Sequence, residues 1–210
     1  YFVQLLKNLL KREFKLNILL PNDIIIPMNI AIIGSGFTGS LAAISLANAG
    51  CRIDLYERLS DEELININQT YVITHSSRKI LENIGIWSDL VSLLVPFQYL
   101  NVIDYEINNY CQFLINDLNK LDQKYSTLGW IAEHKLIMPC ILGIISNIDN
   151  INKIPTSVIP NTNNYDLIVA ADGSSSNTKK KLKTPSFNFN YKQVCLTAKV
   201  LLRGVKSNEA

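Results

Sequence analysis

The chain has 210 residues, 48% of them hydrophobic and 18% charged, with a net charge of +2. That balance describes a globular protein with a real core, large enough for one domain or one domain plus part of a second. It excludes a disordered chain, the small charge argues against nucleic acid as a partner, and no apolar run is long enough to span a bilayer.

Residues 1–27 read as a leader or mis-translated upstream segment, with Met28 as the natural start. Their basic beginning and apolar middle also fit an amphipathic helix on a membrane surface. Pro21 and Asp23 interrupt the apolar part and no small-residue cleavage site follows, so a secretory signal is not expected. Next, NIAII (29–33) predicts a short buried parallel strand. FTGSLAAISLANAG (37–50) repeats apolar residues at helical spacing and stops at Gly50, and CRIDLYER (51–58) predicts a second strand. The order β-α-β with short links is the minimal parallel unit.

Further on, 76–94 predicts a helix interrupted at Gly85. Residues 97–115 carry the β-branched and aromatic content of inserted strands. EHKLIMPCILGIIS (133–146) predicts a helix that tolerates Pro139 only in its first turn. The Asn-rich stretch 147–164 is expected to be a loop, and NNYDLIVAADGSSSNTKKKL (163–182) to be strand, tight turn and helix start. The KKKLK run (179–183) reads as a solvated helix face. The four cysteines, Cys51, Cys111, Cys140 and Cys195, form no C-x-x-C pair, which points to reduced thiols in a cytoplasmic setting rather than zinc or disulfides. His75 and His134 have no second histidine at ligand spacing, so both are expected to be structural, at the surface or half-buried, and no metal site is expected.

The chemistry concentrates in GSGFTG. Gly34, Gly36 and Gly39 fit G-x-G-x-x-G: the first permits a tight turn, the second lets a pyrophosphate approach the backbone, the third lets the helix pack closely. Ser35, Phe37 and Thr38 complete the loop, whose amides open a helix with its positive end toward the phosphates. Glu57 follows at the end of the second strand, about 20 residues beyond the loop, where a carboxylate accepts ribose hydroxyls and repels a 2′-phosphate. This pattern predicts FAD or NAD, and not NADP, in this site, with Arg58 beside the acid.

A second motif lies in DLIVAADGSSSNTKK (166–180), where a strand delivers Asp172 and Gly173 into a turn. Here the sequence resembles the group A flavin-dependent aromatic monooxygenases, whose D-G box ends a strand in A-D-G before a serine and a basic residue. Ser176 matches the serine, and Lys179 stands where that family usually has Arg. Within that superfamily, SSRKILENIGIWSDL (76–90), LGWIAEHKLIMPCIL (128–142, with Glu133 on the matching Glu) and FNYKQVCLTAKV (189–200) are most similar to the ubiquinone-biosynthesis hydroxylases. The resemblance runs from about Met28 to Val200.

It implies an α/β fold: a Rossmann-like FAD/NAD(P)-binding domain with a parallel sheet over 28–185, then, over 186–210, the start of an incomplete β-rich substrate domain. It implies FAD as cofactor, NAD(P)H as transient reductant and O2 as the source of oxygen for a polyprenylated phenol. FAD-binding residues would be Gly34, Ser35, Gly36, Phe37, Thr38, Gly39, Glu57, Arg58, Asp172 and Gly173. Other ubiquinone-biosynthesis proteins would be partners, and the location cytoplasmic or peripheral to the inner membrane. With the flavin carrying the chemistry, no catalytic acid, base or nucleophile is assigned.

Three departures stand out. Gln69 or Thr70 replaces the family's Arg ahead of the serine-pair helix; the link 147–166 is too short for the usual strand-rich segment; and no G-D-A-x-H-like box follows. These residues alone are therefore expected to hold the ADP half of the cofactor without forming a complete hydroxylase, either as an amino-terminal portion or as a decaying gene. Another flavoprotein of the superfamily, such as a geranylgeranyl-type reductase, and a non-catalytic dinucleotide-binding remnant remain the alternatives.

Overall fold

The structure is a computed structural model and describes residues 27–118, 125–156, 158, 160–173 and 176–181, with Phe187, Phe189 and Lys192. Apart from those three residues and Pro27, the expected leader and the expected start of a substrate domain lie outside the described residues.

The elements run β1 (Asn29–Ile33), α1 (Phe37–Asn48), β2 (Arg52–Glu57), α2 (Asp61–Ile65), β3 (Thr70–Ile73), α3 (His75–Asn83), α4 (Trp87–Leu90), β4 (Val95–Phe97), β5 (Tyr99–Asp104), β6 (Asn109–Leu114), α5 (Ile115–Leu118), β7 (Gly129–Glu133), α6 (His134–Ser146), β8 (Ile151–Pro155), β9 (Leu167–Ala170) and α7 (Asn177–Lys181). The described strands form three sheets: β8-β2-β1-β9, β3-β7-β4 and the hairpin β5-β6. Every pairing in the first is parallel, with Ile30 opposite Ile53 and Leu167. The fold is thus the α/β, Rossmann-like arrangement that the β-α-β pattern implied.

The core lies between this sheet and the helices on one of its faces. Ile30, Ile32, Ile53 and Leu55 are fully or almost fully buried, as are Ala43, Ile44 and Leu46 of α1 and Ile137, Met138 and Ile141 of α6. Each large side chain among them contributes about 1.5–3 kcal/mol of hydrophobic stabilisation. Gly39, Ser40, Ala42, Ala43 and Ala47 are buried on α1, and such small residues let the helix approach closely. Truncating Leu55, at 0% exposure, to alanine would cost about 2–5 kcal/mol.

Three expectations need correction. The Asn-rich stretch is not simply a loop: Ile151–Pro155 forms an edge strand parallel to β2, because an edge needs only one partner and tolerates exposed Asn152. Pro139 sits inside α6 rather than in its first turn. It faces solvent, while Ile137, Met138, Ile141, Leu142 and Ile145 anchor the helix. His134 is 1% exposed rather than half-buried, because both ring nitrogens find partners inside. The break at Gly85 is present, with φ of +82° between α3 and α4. The hairpin β5-β6 is almost wholly exposed, including Leu100, Val102, Ile103, Tyr110 and Phe113.

Candidate dinucleotide site

At the carboxyl end of β1 the strand order reverses: α1 leads to β2 on one side, while β9 pairs on the other. Parallel sheets bind ligands at such switch points. Both sequence motifs converge there. Ala171 N donates to Ile33 O at 2.7 Å, and a Cβ on Gly34 would lie 2.5 Å from Ala171 O and 3.0 Å from Asp172 Cα. The D-G turn therefore rests directly on the glycine loop.

The three glycines serve different ends. Gly34 has φ of +99° and no room for a side chain, so the turn itself demands glycine. Gly39 would drive a Cβ to 1.8 Å from Gly34 O, so the helix and the loop lock together through it. Gly36 is unlike both: its φ of −61° suits any residue, and an added Cβ would meet nothing within 4 Å. Neither conformation nor packing requires glycine here, and the open space lies at the N-cap of α1. That end has no side-chain cap and no acidic residue in its first turn. Amides from Phe37 onward are thus left for an anion, and Thr38 is exposed beside them.

Ser35 lies inside the loop. It is 0% exposed, its N–H and hydroxyl donate to Glu57 Oε2 at 2.7 and 3.3 Å, and its carbonyl accepts from Ser40 Oγ at 2.8 Å. Glu57 Oε1 accepts from the amides of Arg58 and Leu59 at 2.8 and 3.0 Å. The carboxylate thereby clasps the loop to the end of β2, and a ribose would share it with these donors. The Arg58 side chain is exposed. Just beyond, Ser60 and Glu63 form a reciprocal capping box that starts α2. Its S-x-x-E signature was available in the sequence.

Asp172 Oδ2 accepts from Thr178 N and Oγ1 at 3.1 and 2.9 Å, and Gly173 takes a φ of +82°. Partial burial works to raise the Asp172 carboxyl, but hydrogen bonds from Ser176 and Thr178 outweigh it and hold the group below its ordinary value. The turn thus stays charged while it starts α7. Lys179 is exposed.

A cluster that sequence reading did not assemble adjoins the loop. Phe37 stacks on Tyr71 at 4.9 Å and 20°, and the Tyr71 hydroxyl lies 2.7 Å from His134 Nδ1. His134 Nε2 is 2.7 Å from Leu64 O, an acceptor only, so Nε2 carries the hydrogen. In the neutral ring Nδ1 then accepts from Tyr71, whose alternative acceptor is Gln69 Oε1 at 3.1 Å. Burial raises the Tyr71 phenol. These contacts join β3, α2 and α6 behind the glycine loop. Their residues are far apart in sequence, so no local signal announces them. Among the described residues no group of three or more His, Cys, Asp or Glu side chains could hold a metal, and no helix is long and apolar enough to cross a bilayer.

Residues 32–61 match the NAD(P)-binding Rossmann-like domain family, which spans the glycine loop and Glu57. Over most of its length the chain is similar to monooxygenases. It is 26% identical to the kynurenine 3-monooxygenase of Anopheles gambiae, covering 78% of this chain and 37% of that protein. It is 23% identical to a mitochondrial ubiquinone biosynthesis monooxygenase of Dictyostelium discoideum, covering 86% and 44%. The fold superposes on p-nitrophenol 4-monooxygenase of Pseudomonas putida with a TM-score of 0.59 at 15% identity, over 74% of this chain and 43% of that one. The chain thus spans somewhat less than half the length of these relatives.

Proposed function

We propose that this chain supplies the ADP-binding half of an FAD site in a monooxygenase that uses NAD(P)H and O2 to hydroxylate a phenolic ring. The observation that carries the reading is Gly36: a glycine that neither its backbone nor its neighbours require, at an uncapped helix start facing open space. A pyrophosphate fits that cradle, receiving hydrogen bonds from the first-turn amides around Phe37 and Thr38 and the favourable end of the helix dipole. Glu57 accepts from the adenosine ribose and disfavours a 2′-phosphate, so NADPH is not the resident of this site. Asp172 and Gly173, on the neighbouring strand end, border the same crevice. FAD, when bound, would supply the redox and oxygen chemistry; the chain's own residues bind and orient it.

The finer reading is a polyprenylated phenol of ubiquinone biosynthesis, supported by the Dictyostelium relative and by the segments resembling that hydroxylase family. It carries with it a location peripheral to the inner membrane and contact with other proteins of that route. The Anopheles relative favours kynurenine as a second reading. The test is titration of the chain with FAD, followed by flavin fluorescence, with NADPH as competitor. Saturable binding that ADP displaces and NADPH does not supports the site. If FAD fails to bind, the reading falls. Where FAD is held, NAD(P)H oxidation stimulated by a prenylated phenol rather than by kynurenine separates the two substrates.

A further inference from the structure

The parallel sheet has a second face, opposite the helix-covered one. Along β2, Ile53 and Leu55 are buried on the helix side, while Asp54 and Tyr56 alternate to the other side and are half-buried. Tyr165, in the link before β9, covers them. Its hydroxyl donates to Asp54 Oδ2 at 2.5 Å, and the Tyr56 hydroxyl lies 2.6 Å from the Tyr165 oxygen. Asn152 Nδ2 of β8 donates to Asp54 Oδ1 at 3.0 Å.

Counting hydrogens gives the network one direction. An ionised Asp54 only accepts, so the single Tyr165 hydrogen goes to it and Tyr56 donates to Tyr165. The two rings meet edge to face at 6.3 Å. Burial, followed by the bonds to Asp54 and Tyr56, pushes the Tyr165 phenol well up. A fully satisfied polar chain of this kind rigidifies its surroundings and favours one arrangement of them.

The part it specifies is the strand end that builds the site. Tyr56 O accepts from Gly34 N at 2.8 Å, the contact that seats the glycine loop. Glu57 is the next residue, and its own carbonyl accepts from Thr156 N at 2.8 Å. The Tyr56 side chain is thus gripped from behind, while its carbonyl holds the glycine loop and its neighbour Glu57 clasps the same loop. We propose that Tyr165, anchored by Asp54 and acting through Tyr56, is a positioning residue that sets the Glu57 carboxylate against the ribose hydroxyls of the bound nucleotide. This rests on the dinucleotide reading above.

The test measures the affinity of the full chain for ADP and for 2′-deoxy-ADP by calorimetry, in the wild type, Tyr165→Phe, Glu57→Ala and the double variant. Loss of one hydrogen bond to a charged group predicts a wild-type preference for ADP of about ten-fold, absent in Glu57→Ala, which has no acceptor. Tyr165→Phe is expected to cut the preference to about three-fold or less while leaving 2′-deoxy-ADP affinity unchanged, and to have no further effect on the preference in the Glu57→Ala background. Tyr56→Phe removes the last link but keeps the Tyr165–Asp54 bond, and serves if Tyr165→Phe does not fold; the same fall is expected. A lowered melting temperature with the preference intact, or equal weakening of both nucleotides, would overturn the proposal and leave Tyr165 as a cover for the sheet. A wild-type chain that binds neither nucleotide would instead refute the dinucleotide reading, before any variant is compared.

Discussion

Gly36→Ala adds one methyl group at the N-cap of α1, where the structure offers it free space. Alanine is a poorer N-cap than glycine by about 0.5–1 kcal/mol. Removing glycine's freedom from the unfolded chain returns about 0.4–1 kcal/mol, since φ of −61° suits alanine. The two nearly cancel, so the unliganded variant should melt within about 2 °C of wild type. On the proposed placement binding responds differently, because the methyl would occupy the space through which the pyrophosphate reaches the backbone. At about 100 times its dissociation constant a ligand stabilises the wild type by about 2.7 kcal/mol, a rise in melting temperature of about 5–10 °C for a chain of this size. Thermal shift with FAD and with ADP is the assay, and the variant should show no rise at the same concentrations. Gly39→Ala is the contrasting control: its Cβ would fall 1.8 Å from Gly34 O, so it should fail at folding rather than at binding. A Gly36→Ala chain that gains the full wild-type rise would refute the placement of the pyrophosphate.

Gly129→Ala should destabilise by about 1–3 kcal/mol in urea denaturation, because the new Cβ would lie 2.8 Å from Ile73 O and 3.2 Å from the Phe97 ring. Asp172 has a depressed carboxyl, so its contribution is present above the ordinary carboxylate range and lost as pH falls through the lower folded value. Wild type and Asp172→Asn should accordingly differ in stability near neutrality and converge in acid, and a gap that persists at the lowest pH would refute the assignment. Cys51 is buried with its thiol pushed up by desolvation, whereas Cys111 is exposed. Peptide mapping after brief thiol labelling should find Cys111 modified well before Cys51, and the reverse order would contradict the packing of Cys51.

The dinucleotide unit was legible in the sequence because its physics is local. A strand of NIAII, a glycine turn, a helix of small and apolar residues and an acid ending the next strand all lie within Asn29–Glu57, and each feature reports on its neighbours. The D-G turn was readable for the same reason, since Thr178 satisfies Asp172 within a few residues and Gly173 supplies the positive φ between them.

Where partners are distant, tertiary structure decided. The five residues Ile151–Pro155 become a strand only because β2 offers an edge, which no pattern within INKIP reveals. Pro139 stays in a helix because the buried face of α6 outweighs one lost hydrogen bond. Glu57 proved to be a clasp on Ser35, and Gly36 the glycine without a structural duty; both facts depend on atoms across the loop. The Phe37–Tyr71–His134 stack and the Tyr56–Tyr165–Asp54 chain each join residues tens of positions apart. Sequence periodicity determines which face of an element is apolar; only the assembled sheet determines which polar groups meet on the other.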